Sequence, residues 1–384
     1  MTTNKTTTNA VNSTSQVFDA VPCLMISDSH LGAEVSPGPA GNRFNLQIGF
    51  TRLVETFDKF KSLMVCQENA QRPFLSAQVI LGGDMVEGFL KYRQKYLVEN
   101  EVVLTDETLV SLCVAAFKEQ LEGLRHVEGL VKGGLSAVHI VCVSGNHGEI
   151  RDMDFKRRDS FENLDSKFYR LLSEACDKIT RDSNEEFTVS LDFNAKVNPQ
   201  SGSFDFEDEY LFFKILDTPF VLRHGATLSC NKGLTSRRGV LSRTALEISA
   251  RDSRDKLVNN LFKHKKRYRK DHWMNTQDWM DLVLLFGHYH TPVIDSDGKI
   301  LGCGSLRGPD TYSQNDFNMD WAWPSSLFWV VKYGEGVVSA QEIMVDAEIA
   351  RQEVPDGLAP YTRLSFENLV SIGMAKHETL LNRA

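Results

Sequence analysis

Five short apolar runs in this chain end in the same way, and that regularity limits its fold more than any other feature. Val21 to Ile26 is followed by Asp28 and His30, Gln78 to Leu81 by Gly82-Gly83-Asp84, and Ala137 to Val143 by Gly145-Asn146-His147. Phe220 to Leu222 is followed by His224-Gly225, and Leu282 to Phe286 by Gly287-His288-Tyr289-His290. Runs of this length and aliphatic content read as buried strands. Between them, Phe50, Leu53, Val54, Phe57, Phe60 and Met64 recur at helical spacing. So do Leu109, Leu112, Cys113, Ala116, Phe117 and Leu121, and again Leu164, Phe168, Leu171 and Leu172. Strands alternating with helices predict α/β layers, in which ligands bind at the C-terminal strand ends. Later, Leu327 to Lys332 and Val337 to Met344 flank Gly334-Glu335-Gly336, which predicts a β-hairpin closing a second sheet.

The residues at the five ends share one chemistry. Asp, His and Asn without cysteine form a nitrogen/oxygen donor set, suited to Mn, Fe, Zn, Co or Ni rather than to a thiolate zinc site. Seven such ligands exceed what one tetrahedral ion takes, whereas sharing one carboxylate between two ions gives each about four. Two divalent ions set against two aspartates leave a surplus of positive charge, which attracts phosphate and lowers the pKa of a bridging water. Glycines beside Asp84, Asn146, His224 and His288 predict sharp backbone turns next to the ligands.

Taken in order, Asp28-x-His30, Gly83-Asp84, Gly145-Asn146-His147, His224-Gly225 and Gly287-His288-x-His290 resemble the five motifs of the calcineurin-like metallophosphoesterases. The branch they resemble most is that of DNA repair exonucleases and the metallophosphoesterases of bacteriophages. The resemblance implies a four-layer αββα sandwich of two mixed sheets. It also implies that Asp28, His30 and His290 hold a first metal, that Asn146, His224 and His288 hold a second, and that Asp84 bridges the two. Mn²⁺ is the expected ion, with Fe, Zn, Co, Ni or Mg as alternatives. His147 is expected to bind no metal and to act as general acid at the leaving group while a metal-bridging hydroxide attacks phosphorus. Two positions depart from the family pattern. Glu87 stands where Gly-Asp-x-x-Asp places its last Asp and is not expected to be a ligand. Gly148-Glu149 follows His147, which leaves open the side chain that orients it.

The motifs do not select a substrate, but the charge distribution bears on it. The chain carries a net −8. Between Lys232 and Lys270, however, thirteen basic residues face three acidic ones, within a basic insertion at 232–272 between the fourth and fifth motifs. Flanked by motifs on both sides, that insertion is placed to track a polyanion. Arg237 and Arg238 are expected to grip a phosphate near the scissile bond, and Lys265, Lys266 and Arg267 a more distant backbone, without sequence preference. Nucleic acid, DNA before RNA, is the expected partner. The alternatives are nucleotides or other small phosphoesters, with a silent scaffold as the third possibility. Fewer than a hundred residues follow His290, too few for the DNA-capping domain of the double-strand-break nucleases.

The Thr/Asn/Ser-rich segment 1–16 reads as a tail, 17–345 as the metallophosphoesterase domain, and 346–384 as a helix (Leu364 to Ala375) or tail. Seven scattered cysteines argue for a reducing compartment, and no apolar run is long enough for a membrane span. Cytoplasm, that of a bacterial host if this is a phage protein, is the expected location. Trp321, Trp323 and Trp329, with Phe317 and Phe328, read as core or sheet-edge packing, with a stacking surface as the alternative.

Overall fold

Strand β1 (Ala20–Ile26) sends alternate side chains to opposite faces, and both faces are buried. Leu24 and Ile26 enter one core, while Val21, Cys23 and Met25 enter another, so the strand belongs to a sheet covered on both sides. The structure, a computed structural model, describes residues 20–33, 44–69, 72–87, 105–148, 163–193, 196–197, 204–205, 210–225, 243–263, 276–308 and 322–345. The segments 1–16 and 346–384, and Arg237, Arg238, Lys265, Lys266, Arg267, Phe317 and Trp321, lie outside the described residues.

After β1 come α1 (Leu46–Gln67), β2 (Ser76–Leu81), α2 (Asp106–Glu122), β3 (Ala137–Cys142), α3 (Leu164–Asp182) and β4 (Thr188–Phe193). All three helices are capped at their N-termini, by Asn45, Thr105 and Asn163, whose side chains accept otherwise unpaired backbone N–H groups. A two-stranded pair, β5 (Lys196–Val197) and β6 (Phe204–Asp205), precedes β7 (Leu211–Ile215) and β8 (Thr218–Arg223). Helices α4 (Arg243–Lys263) and α5 (Thr276–Asp281) lead to β9 (Val283–Phe286), β10 (Val293–Ile294) and β11 (Ile300–Gly302), and β12 (Ser325–Lys332) and β13 (Gly336–Met344) follow.

The strands form a six-stranded sheet ordered β13-β12-β1-β2-β3-β4 and a five-stranded sheet ordered β10-β11-β9-β8-β7. Both are mixed. Strands β1 to β4 run parallel with β12 and β13 antiparallel at one edge, and β8, β9 and β11 run parallel between antiparallel β7 and β10. Helices α1, α2 and α3 cover the outer face of the larger sheet through Phe57, Phe117 and Phe168. The inner faces meet through Met25, Ile80, Val141, Phe220, Leu222, Leu285 and Trp329. On the far side Leu246, Val258, Leu261 and Trp279 of α4 and α5 cover Val221, Leu284 and Phe286. The result is the four-layer αββα sandwich expected from the sequence.

The hairpin corrects one expectation. Strands β12 and β13 do not close a second sheet; β12 pairs antiparallel with β1 and widens the first. A hairpin is visible in local sequence, but the edge that receives it is set by long-range pairing. Phe328 and Trp329 are core residues on opposite faces of β12, as expected for packing rather than for a stacking surface.

Candidate metal centre

The parallel strands β1, β2 and β3 of one sheet and β8 and β9 of the other release their chains at a common edge, where all seven expected ligands meet. Beyond β1 and β2 the backbones stay paired, with Asp28 N–H donating to Gly83 O and His30 N–H to Asp84 O, both at 2.9 Å. The sheets are tied across the gap by His288 N–H to Asp28 Oδ2 at 2.8 Å and by His224 Nδ1 to Gly82 O at 2.9 Å.

The turns are made by the ligands themselves. Asp28, His30, Asp84, His288 and His290 have φ of 52°, 44°, 52°, 73° and 55°, in the left-handed region that costs a non-glycine residue about 1–3 kcal/mol. Such a concentration of strain marks a functional site. The neighbouring glycines serve partly another purpose. A Cβ at Gly145 would strike the Asp84 carboxylate, and one at Gly287 would strike Ser27 and Asp28, so these two allow close approach.

Two donor clusters result. In the first, His30 Nε2 and His290 Nε2 are 3.1 Å apart, and Asp28 Oδ1 lies 3.4 Å from His290 Nε2 and 4.0 Å from His30 Nε2. In the second, His224 Nε2 lies 2.9 Å from Asp84 Oδ2, 3.0 Å from Asn146 Oδ1 and 3.3 Å from His288 Nδ1. Asp28 Oδ1 and Asp84 Oδ2 are buried and have no hydrogen-bond partner among the described residues; the His224 nitrogen near Asp84 does not meet it in hydrogen-bonding geometry. Since His224 Nδ1 faces a carbonyl, a ring without a proton on Nε2 would turn that lone pair toward the acceptors Asp84 Oδ2 and Asn146 Oδ1. Acceptors crowded together in this way repel unless a cation sits among them. The donor set therefore fits divalent ions that prefer nitrogen and oxygen.

The protonation tendencies point the same way. Burial pushes His224 down, but the Asp84 carboxylate overrides it and raises the ring to about 10. Burial and the positive charge of His224 hold His288 near 3, and burial with the His147 charge holds His30 near 4. Burial alone would raise Asp28; its contacts with His290 and His224 instead bring it to about 2. One position in the second cluster thus asks for positive charge, while its neighbours stay neutral donors.

Glu87 answers the question left by the third motif. It is fully buried and bridges two histidines, with Oε2 at 2.7 Å from His30 Nδ1 and both oxygens at 3.1 Å from His147 Nδ1. Burial would raise its pKa, but the bonds from His147 and His30 lower it to about 2, so it is ionised. It leaves His30 Nε2 facing the first cluster and His147 Nε2 3.9 Å from Asp84 Oδ2. Its only sequence signal is its place four residues from Gly83.

Asp165 went unread in the sequence. Fully buried in the first turn of α3, it accepts backbone N–H groups from Asp84, Met85, Val86 and Gly145. Burial and the nearby Asp84 charge raise it to about 6, against those four donors.

Of the basic insertion, only α4 lies among the described residues. All three of its acids fall within α4, which carries five basic residues, so the helix is nearly neutral. Arg251 pairs with Glu247 and Asp295, and Arg254 donates to the carbonyls of Leu282 and Met280. Residues 280–282 precede β9, and Asp295 binds the N–H of Ile300 at the start of β11. The middle of α4 therefore sits at the strand ends opposite His288 and His290. The remaining eight basic residues, without an acid, lie in 232–242 and 264–270, outside the described residues.

No protein-family model matches the sequence, and no curated protein matches it. Solved structures align at low similarity. The 5′-nucleotidase precursor of Thermus thermophilus is 11% identical with a TM-score of 0.30, over 94% of this chain and 59% of that one. Vacuolar protein sorting 29 of Cryptosporidium parvum is 14% identical with a TM-score of 0.26, over 85% and 98%. The phosphoesterase YfcE of E. coli is 11% identical with a TM-score of 0.25, over 85% and 100%. Likeness at that level says nothing of activity. Among the described residues, no helix is long and apolar enough to cross a membrane.

Proposed function

We propose that the chain is a calcineurin-like, metal-dependent phosphodiesterase. Asp28, His30 and His290 would hold one divalent ion, Asn146, His224 and His288 a second, with Asp84 as the carboxylate assigned to both. The observation that carries this reading is the pair of unpartnered buried carboxylate oxygens, Asp28 Oδ1 and Asp84 Oδ2, each within 3.4 Å of an imidazole nitrogen. Bound ions, Mn²⁺ first, would supply Lewis acidity toward phosphate oxygens and an activated water. The chain supplies the rest. Glu87 occupies His147 Nδ1 and aims Nε2 inward, where His147 gives its proton to the departing oxygen. The carboxylates of Asp28 and Asp84 offset part of the ionic charge and leave a surplus that would attract a phosphate.

The substrate we infer is nucleic acid, DNA before RNA, hydrolysed in a reducing cytoplasm. Support comes from the two acid-free basic blocks that flank α4 and contain Arg237, Arg238, Lys265, Lys266 and Arg267. A second reading, a nucleotide or other small phosphoester, is favoured by the use of Arg251 and Arg254 in anchoring α4.

The deciding experiment incubates the protein with Mn²⁺ and bis-p-nitrophenyl phosphate, then with labelled single- and double-stranded DNA and RNA. EDTA and Asp84→Asn serve as controls. Hydrolysis of the chromogenic diester that EDTA and Asp84→Asn both abolish is expected, and its absence at full metal occupancy overturns the enzyme reading. Cleavage of DNA with a steep salt dependence, flattened by neutralising the basic blocks, supports the nuclease. Turnover of small esters alone, indifferent to those blocks, supports the second reading.

A further inference from the structure

The first two turns of α3 supply no donor to either metal cluster, yet they grip the two loops of the six-stranded sheet that carry Asp84 and Asn146 of the second one. Asp165 Oδ1 accepts the N–H groups of Met85 and Val86 at 3.0 and 3.1 Å, and Oδ2 accepts those of Asp84 and Gly145 at 2.9 and 2.8 Å. Asn163 Nδ2 donates to Gly145 O at 2.9 Å, and its Oδ1 accepts Asp165 N–H at 2.8 Å. Leu164 N–H donates to Gly148 O at 2.8 Å, Ser166 Oγ meets Ser144 Oγ at 3.0 Å, and Tyr169 OH donates to Val143 O at 2.9 Å. The run from Val143 to Gly148, which contains Asn146 and His147, is thus held at four of its residues by one helix end. The same carboxylate holds the backbone of Asp84, and His147 N–H in turn donates to Asp84 Oδ1 at 2.6 Å.

A buried carboxylate is costly to place, and four converging backbone donors are the means of stabilising one. A neutral acceptor would fill the space with weaker bonds, and an amide would set its NH₂ against two of those donors. None of these Asp165 and Asn163 bonds reaches the loops that carry Asp28, His30, His224, His288 and His290. Ser305 Oγ donates to Asp28 O, and the backbone bonds of β1 to β2 and of His224 to Gly287 hold the rest.

We propose that Asp165, with Asn163 beside it, is a positioning residue that sets the geometry of Asn146 and His147, and so of the second metal site more than of the first, which it meets only through the Asp84 loop. The inference rests on the two-metal reading above. It predicts an asymmetric defect that loss of a merely structural contact would not produce.

The test is titration of the metal-free full-length protein with Co²⁺, followed by its visible absorption and by bound metal after dialysis. Wild type is expected to take up two Co²⁺. Asp165→Asn is expected to weaken the second Co²⁺ by about 10- to 100-fold, the usual effect of removing an outer hydrogen-bond partner, and the first clearly less. A lower melting temperature with both affinities unchanged, or equal loss of both, overturns the inference. Should Asp165→Asn fail to fold, Asn163→Ala decides, because it removes the tether to Gly145 O and spares the carboxylate. Selective weakening of the second site supports the proposal, and two unchanged sites overturn it. Wild type that binds no Co²⁺ overturns the metal reading itself and the inference with it, an outcome distinct from two intact sites in the variants.

Discussion

The two sheets contribute unequally to the centre. The six-stranded sheet supplies every carboxylate in it, Asp28, Asp84 and Glu87, together with His30, Asn146 and His147. The five-stranded sheet supplies only imidazoles, those of His224, His288 and His290. The loops of the first sheet are bonded to one another and to α3, whereas His224 and His288 are tied across the gap, to Gly82 and Asp28. Negative charge is therefore fixed on the braced half, and imidazoles are brought to it by packing of the other. The donor clusters exist only once the inter-sheet core has formed, so folding and metal affinity are linked.

Replacing the carboxylate of the braced half that meets His224 of the other breaks the comparison most completely. Asp84→Asn should abolish diester hydrolysis and reduce bound metal, as measured by turnover and elemental analysis. A variant with full metal content and full turnover would remove Asp84 from the centre. Next in size, His147→Ala should slow turnover by about 10²- to 10⁴-fold with both ions retained. Loss of metal in that variant would make His147 a ligand. Third, Trp329→Ala opens the inter-sheet core and should cost about 3–5 kcal/mol of stability in denaturant unfolding. Because the second sheet reaches the centre through that core, added Mn²⁺ should recover part of the loss; no recovery would uncouple the two halves.

Smallest is Glu87→Gln, which sharpens the contrast from within the braced half. It should weaken metal binding at the first site by about 10-fold and lower turnover through His147. It also has a pH signature. The folded pKa of Glu87 lies near 2 against an ordinary 4.5, so its stabilisation is present above pH 4.5 and lost as pH falls toward 2. Metal-free Glu87→Gln should therefore show a flatter loss of stability across that window, and an unchanged acid limb would mean that the bridge contributes nothing.

Much of this was legible without coordinates. The five strand ends could be read because a buried strand and the polar residue that stops it are local in sequence. So could the three helices on the larger sheet, whose apolar stripes repeat at the helical period. Strand β4 at the sheet edge, the short β10 and β11, and α4 were not read. Strand β4 is largely exposed along one face, and α4 carries little amphipathic pattern beneath its charges. Glu87 stood out only as a departure from a motif, and Asp165 not at all. Its partners lie 20 and about 80 residues away, and an acidic residue in a first helical turn is ordinary. The insertion shows the same limit in the other direction. Its basic residues were counted together, but Arg251 and Arg254 are used inside the molecule, at the end of the sheet away from the histidines.

What the sequence by itself determined was a set of donors and the order in which the chain presents them, since each sits within a few residues of the strand that delivers it. Only the tertiary structure decided which donors meet. His30 and His290 are 260 residues apart and touch because two sheets pack, and Glu87 joins His30 to His147 because β1, β2 and β3 lie side by side. The left-handed backbone at Asp28, His30, Asp84, His288 and His290 belongs to that same level. No local preference selects it, and the strain persists because the packed sheets and the bonds across them leave those residues no other place.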